Sequence, residues 1–219
     1  MGPLRLLSDR AKELSITLTD QQLSLFSAYL KDLKRWNRVH NLTAIRDDEG
    51  IVLKHFIDSL SYLKAIPLRK GLRIIDIGTG AGFPGLPIRI VRPEILLTLI
   101  DSSMKKILFL RHICRALGLE DIEIVQERFE NLEGDFGNSF DILITRALSK
   151  VKDVLRYGAP LLKKGGLIVI SKGPALETEV RSAEKDMLEA GARIRDIIDI
   201  TLPGSNLKRK IIVFEKNYT

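Results

Sequence analysis

Apolar residues in the first seventy positions recur at helical spacing. Behind the capping-box pair Thr19 and Gln22, the positions Leu23, Phe26, Leu30 and Leu33 form one stripe that runs to about Trp36. A second amphipathic stretch follows Asp47-Asp48, carries Ile51, Val52, Phe56, Leu60 and Leu63, and is closed by Pro67 and Gly71. From residue 72 the pattern changes to short apolar runs alternating with helical ones. "LRIIDI", "ILLTLID", "IEIVQ", "FDILIT" and "LIVIS" read as strands. Residues 104–117 read as a helix closed by Gly118. Residues 151–162 read as another, ending in Lys163-Lys164-Gly165-Gly166. Pro174 opens a third, with Leu176, Val180, Ala183 and Met187 on one stripe and Gly191 as its stop. "ARIRDIIDITL" and "KIIVFEK" are two last strands joined by "PGSNLKR" with no helix between them. The expectation is a seven-stranded, mostly parallel α/β sheet ending in an antiparallel hairpin at or near its edge. Residues 1–70 would form a helical extension packed on a domain of residues 71–219.

The stretch "IIDIGTGAGFPGLPIRI", residues 74–90, joins the first strand to the next helix. From Gly78 it reads G-x-G-x-G, as in methyltransferases that use S-adenosylmethionine. From Gly80 it reads G-x-G-x-x-G, the fingerprint of dinucleotide-binding enzymes. In either class Gly78, Gly80 and Gly82 let the backbone turn sharply and approach a ligand, beyond the carboxyl ends of the strands. Asp76 and Thr79 belong to the same candidate cofactor site. Asp101 ends the next strand, where a carboxylate can accept from both ribose hydroxyls or cap the following helix; the two roles are compatible. Three features favour S-adenosylmethionine, with S-adenosylhomocysteine as product. Phe83-Pro84 removes an N–H that a pyrophosphate needs at a helix start. The terminal hairpin matches a Rossmann-like class I methyltransferase sheet. No substrate domain or hydride-shuttling constellation follows.

Charge adds a partner. The 219 residues carry 35 basic and 28 acidic side chains, a net charge of +7, and the pI is about 9.5. That balance suits a polyanion, nucleic acid before membrane, or else an ordinary basic enzyme. Lys31, Lys34, Arg35 and Arg38 fall on one helical stripe, either a solvated face or a phosphate contact. Lys208-Arg209-Lys210, in the expected hairpin loop, is a second candidate for RNA. Lys163 and Lys164 read as complements to a helix C-terminus. Asn37, Asn41, His55 and Asp58 read as a network docking the helices onto the sheet, or as a wall of the acceptor pocket; docking is preferred for His55 and Asp58. Trp36 reads as packed core.

The single cysteine, Cys114, sits in an apolar stretch and reads as a buried structural thiol, which points to a reducing cytoplasm. Three scattered histidines give no metal-ligand spacing, so no metal is expected. The N-terminus lacks the apolar core of a signal peptide, Leu6 breaks the myristoylation pattern, and no apolar stretch is long enough to span a bilayer. The triplets at Asn41 and Asn217 read as chance matches to a glycosylation motif. A monomer is expected.

Six blocks, "WNRVHNLTAI" (36–45), "HFIDSL" (55–60), "DIGTGAGFPGLP" (76–87), "LIDSSMKKILFL" (99–110), "TRAL" (145–148) and "KG" (172–173), resemble one family. It is the bacterial small-subunit rRNA methyltransferases called RsmG or glucose-inhibited division protein B. The resemblance covers most of the chain, and the tryptophan-asparagine block and the "GAGFPGLP" loop are its specific parts. It implies methyl transfer to N7 of a guanine in the 530 loop of 16S rRNA (position 527 in conventional numbering), on the free RNA or the small subunit. It also implies cofactor contacts from Gly78, Phe83, Phe129-Glu130 and Arg146. The chain departs from the family at Phe129-Glu130, where Ala-Glu is common, which alters the wall of the adenine pocket. Guanine N7 has no proton to remove, so no general base is expected. Arg146 is then a positioning group at a strand end, or else one half of a surface ion pair. The competing readings are a methyltransferase acting on another RNA, a protein or a small molecule, and a non-catalytic RNA-binding module that keeps the fold.

Overall fold

The apolar runs pair into one seven-stranded sheet in the computed structural model, which describes residues 2–146, 150–173 and 176–217. The strands are β1 (Arg73–Ile77), β2 (Leu96–Asp101), β3 (Ile122–Gln126), β4 (Phe140–Arg146), β5 (Leu162–Lys172), β6 (Ala192–Thr201) and β7 (Lys208–Lys216). Their spatial order is β3-β2-β1-β4-β5-β7-β6. The first five are parallel; β7 runs antiparallel to β5, and β6 antiparallel to β7 at the edge. This is the class I methyltransferase sheet. Ile77 pairs with Ile100 on one side and Thr145 on the other, so the carboxyl ends of the central strands are level. Chain order reverses between β1 and β4, and that switch point is where an open α/β sheet leaves a crevice.

Alternation along the strands builds two cores. Ile74 joins a cluster with Phe26, Tyr29, Leu33, Leu86 and Phe109; Ile75 joins one on the opposite face with Leu143, Val154, Leu155 and Phe214. The N-terminal helices thus share a continuous core with the sheet. The helix Asp20–His40 starts with both bonds of the capping box, Gln22 N–H to Thr19 Oγ1 at 3.2 Å and Thr19 N–H to Gln22 Oε1 at 3.0 Å. It runs past Trp36 and closes on Asn41, which is left-handed (φ 47°). A shorter helix, Pro3–Glu13, precedes it and buries only Leu7 and Ala11, too sparse a stripe to stand out in the sequence. The second amphipathic stretch is helical from Asp48, but Val52–Ile57 widens into a π-helix before Asp58–Leu60.

Two expectations are corrected. The helix from Val151 stops at Gly158, and after the 3-10 turn Ala159–Leu161 the chain enters β5 at Leu162. Pro160 has no N–H with which to continue an α-helix. Lys163 and Lys164 are therefore strand residues; Lys163 pairs with Asp141 at 3.1 Å and complements no helix end. Lys208, Arg209 and Lys210 do not form the hairpin loop. They are the first residues of β7, in register with Thr201, Ile200 and Asp199, because the turn closes early with Leu202 N–H on the Leu207 carbonyl. Pro174, expected to open a helix, lies outside the described residues, as do Ala147 and Leu148 of the "TRAL" block. The expected helix is described from Leu176 to Ser182 and resumes at Glu184–Glu189.

Candidate cofactor and acceptor site

The glycine loop is held from beneath and from one side. Gly78, Gly80 and Gly82 have φ of 67°, 64° and 95°, a region unfavourable to other residues. At Gly82 a Cβ would stand 2.6 Å from the Tyr29 hydroxyl, whereas at Gly80 it would meet only the Gly78 carbonyl, at 4.0 Å. Open space therefore faces Gly80 and packed protein faces Gly82. Beneath the loop, Asp76 Oδ2 accepts from Thr79 Oγ1 at 2.7 Å and from Gly85 N–H at 2.8 Å, while Oδ1 has no partner. Burial pushes this carboxyl up to about 7, partly offset by those two bonds. Asp76 and Thr79 are thus braces of the loop, both buried.

Tyr29, which the sequence reading did not single out, completes the support: its hydroxyl donates to the Ala81 carbonyl. Its ring stacks on Phe83 (centroids 5.4 Å apart, 9° between planes), and His55 stacks on the other face of Phe83 (4.4 Å, 8°). The Phe83 ring is therefore core, sandwiched between residues of the N-terminal helices. Tyr29 lies three positions after Phe26 on the apolar stripe, the one signal that could have flagged it.

A cleft of about 290 Å³ opens at the ends of β1, β2 and β3, lined by Ile77, Gly78, Ile100, Asp101, Phe129 and Glu130 among others. Asp101 is 5% exposed. Its Oδ2 accepts from Gly80 N–H at 3.0 Å and from Lys106 Nζ at 3.1 Å; its Oδ1 accepts from Ser103 N–H at 2.9 Å. It steadies the turn before the next helix and ties the glycine loop to β2 together. The Phe129 ring packs edge-on against Tyr157 at 5.8 Å, in the core on that face. Open space over Gly80, a strand-end carboxylate and the apolar walls Ile77 and Ile100 fit a nucleoside with a ribose diol. Of the expected cofactor residues, Gly78, Asp101, Phe129 and Glu130 line this cleft; Asp76, Thr79, Gly82 and Phe83 stand behind it.

Arg146 lies on the other side of the switch point. Its Nη1 donates to the Lys54 carbonyl at 2.9 Å and to Asp58 Oδ2 at 3.2 Å, and its Nη2 donates to His55 Nδ1 at 3.0 Å. The guanidinium stands 5.4 Å from the Phe83 ring centre. The π-helical turn delivers Lys54 and His55 to it. With Nδ1 accepting, His55 carries its proton on Nε2, which donates to Thr43 Oγ1 at 2.8 Å. Burial, then the Arg146 charge, hold this imidazole down at about 3, so it stays neutral. Asn37 Oδ1 accepts from Thr43 N–H at 2.9 Å, extending the chain to the Asp20–His40 helix. Asp58, 1% exposed, also accepts from Arg209 Nε at 2.9 Å. Tyr62 donates to the Thr145 carbonyl at 2.7 Å. This is the docking network preferred for His55 and Asp58, and Asn37 belongs to it; Asn41 only caps its helix and accepts from Arg46 at 3.4 Å. His55 and Asp58 also line a cavity of about 560 Å³ beside Arg146, with Ser171, Lys172 and Glu179. Arg146 is no surface ion pair, since its carboxylate partner is buried.

The basic candidates divide. Lys31, Arg35 and Arg38 are exposed and have no acidic partner among the described residues, while Lys34 is paired with Asp48. Arg209 is taken up by Asp58, and Lys210 pairs with Asp199 at 2.8 Å. Trp36 packs half-buried, edge-on to Phe109 and against His112. Burial pushes the Cys114 thiol up to about 12, consistent with an inert structural residue. Among the described residues no cluster of three or more His, Cys, Asp or Glu can hold a metal, and no helix is long and apolar enough to cross a membrane.

Residues 22–204 match the model of the GidB family, rRNA small subunit methyltransferase G. A relative from Acetivibrio thermocellus named Ribosomal RNA small subunit methyltransferase G is 42% identical over 214 residues, covering 97% of this chain and 88% of its own. One of the same name from a Geobacter species is 40% identical over 213 residues, covering 97% of each. Among solved structures, a SAM dependent methyltransferase from Aquifex aeolicus covers 78% of this chain and 94% of its own, with TM-score 0.59 and 20% identity. The [4+2]-cyclase SpnF covers 93% and 98%, with TM-score 0.64 and 15% identity. These two structures share the fold, and the second shows that the fold alone does not decide the chemistry.

Proposed function

The chain belongs to the rRNA small subunit methyltransferase G family, and from that premise we propose that it transfers a methyl group from S-adenosylmethionine to N7 of a guanine in small-subunit rRNA. The observation that carries this reading is the pairing of two spaces across one switch point. The cleft of Gly78 and Asp101 fits a nucleoside, and the cavity beside Arg146 takes the acceptor. The acceptor class comes from the names of the relatives, 16S rRNA and the 530-loop guanine from the family resemblance. A monomer working in the cytoplasm on the RNA or the assembled subunit, without a metal, completes the reading.

When bound, S-adenosylmethionine supplies a methyl group already made electrophilic by its sulfonium charge. The chain's own work is orientation. Asp101 and the Gly78 turn hold the nucleoside, with Phe129 and Glu130 along its wall. Arg146, fixed by three protein contacts, orients what enters from the acceptor side. A general base is not needed at N7, which carries no proton, and the His55 Nδ1 lone pair is occupied by Arg146. The test is methyl transfer to small subunits from cells lacking the gene, followed by digestion and mass spectrometry. One 7-methylguanine per subunit is expected; a different methylated base, or none, overturns the proposal.

Of the basic candidates, Lys31, Arg35 and Arg38 on the helix, and Lys208 at the start of β7, have no acidic partner among the described residues, and the helical three are the ones proposed to meet RNA phosphates. Each phosphate contact contributes roughly 0.7–0.9 to the slope of log affinity against log salt. Replacing the three with Ala is expected to flatten the slope by about two units, whereas Lys34→Ala, whose charge Asp48 already neutralises, should change it little. Salt titrations of subunit binding distinguish this from a solvated face, which would leave slope and affinity at wild-type values.

A further inference from the structure

Among the described residues two carboxylates line the acceptor cavity, Asp58 and Glu179, and their hydrogen bonding differs. Asp58 spends one oxygen on Arg146 and the other on Arg209, and its side chain is 2% exposed. Glu179 spends only Oε2, on Lys172 Nζ at 2.8 Å and Val151 N–H at 3.3 Å; its Oε1 has no hydrogen bond among the described residues, and its side chain is 33% exposed. Lys172 ends β5, one strand beyond β4, so the Lys172–Glu179 pair lies on the side of Arg146 away from the glycine loop. A purine in this cavity that turns N7 toward the glycine loop turns its N1 and 2-amino edge toward Glu179.

Resting on the acceptor reading above, we infer that Glu179 Oε1 reads the N1–H and 2-amino edge of the acceptor guanine and stabilises the cation that methylation creates. The N7 lone pair forms the bond to the methyl carbon as the carbon–sulfur bond breaks. The pair from that bond stays on sulfur, the positive charge passes to the purine, and no proton moves. As the ring becomes cationic, N1–H and the 2-amino group become stronger donors. A carboxylate on that edge therefore binds the transition state better than the ground state. The same carboxylate rejects adenine, which presents a lone pair at N1. Glu179 thus sets base identity and contributes to the rate.

The test uses small subunits reconstituted with rRNA carrying either guanine or hypoxanthine, which lacks the 2-amino group, at the acceptor position. Wild-type transfer to guanine is the separate check of the acceptor reading. For the wild type, hypoxanthine is expected to lower kcat about 10- to 100-fold, the range for a hydrogen bond to a charged group. In Glu179→Gln the guanine rate falls by a similar factor, and the two bases come within about threefold of each other, because the contact is already lost. Glu179→Ala gives the same collapse, and both variants bind S-adenosylmethionine as the wild type does. A variant that slows both bases equally, keeping their ratio, shows only structural damage and overturns the inference, as does a wild type that accepts both bases at one rate.

Discussion

Asp101→Ala is expected to weaken S-adenosylmethionine binding by about 1.5–3 kcal/mol, roughly 10- to 150-fold in Kd, the range for hydrogen bonds to a charged group. The geometry argues for two losses at once. The carboxylate already accepts three bonds, from Gly80 N–H, Ser103 N–H and Lys106 Nζ. A carboxylate offers about four acceptor positions, so two ribose hydroxyls need one of these donors to yield. Lys106 is the one that can swing away, since its side chain is 31% exposed while Gly80 and Ser103 donate from the backbone. Ala removes the ribose acceptor and also frees Gly80 N–H, loosening the loop that shapes the cleft. Lys106→Ala should act in the opposite sense, leaving binding unchanged or a few-fold tighter, because it removes a competitor for the same oxygen. Titration calorimetry on both variants decides. Wild-type affinity in Asp101→Ala, or measurable NAD binding by the wild type, would overturn this account of the cleft.

The sheet was legible because its strands are short, apolar and bounded by Gly or charged residues, and because the glycine loop announces the first crossover. The capping box at Thr19 and Gln22 predicted a helix start that the structure realises. The errors arose where tertiary pairing overrode local pattern. Lys208 to Lys210 look like loop residues, yet each takes a ladder position in β7, and Arg209 is drawn to Asp58, which lies 151 positions earlier. Nor does the sequence show that the ring of Phe83, part of the proposed cofactor motif, stacks between Tyr29 and His55. Such a three-ring stack joins residues of two N-terminal helical segments to a loop far along the chain, and no local spacing encodes it. Likewise Glu179 sits on an ordinary amphipathic stripe; only the fold brings it into the cavity that Arg146 also lines.

Arg146→Ala and Arg146→Lys are both expected to slow methyl transfer strongly, by 100-fold or more on the order of the effect of losing substrate positioning. The guanidinium makes three directed contacts and lies over Phe83, and an ammonium on a flexible stem can satisfy only part of that set. Ala should also destabilise the fold, because Asp58 is buried and would keep only Arg209 as a partner. Breaking a buried pair costs about 3–5 kcal/mol, and the remaining Arg209 places the expected loss at or below the low end. The transfer rate itself should be nearly flat from about pH 6 to 9 at saturating S-adenosylmethionine, the range in which an ordinary histidine or thiol would titrate. His55, held at about 3, is neutral throughout that window, and Cys114, pushed up to about 12, stays protonated. Saturation matters because Asp76, raised to about 7 beneath the glycine loop, gains charge within the window. That titration is expected to act on how the loop holds its ligand, and so on Kd, while the proposed proton-free attack at N7 sets the rate. A single-turnover rate rising tenfold per pH unit across part of this range would reveal an essential base and overturn N7 as the acceptor. Equal activity of Arg146→Lys and wild type would remove the guanidinium fork from the mechanism.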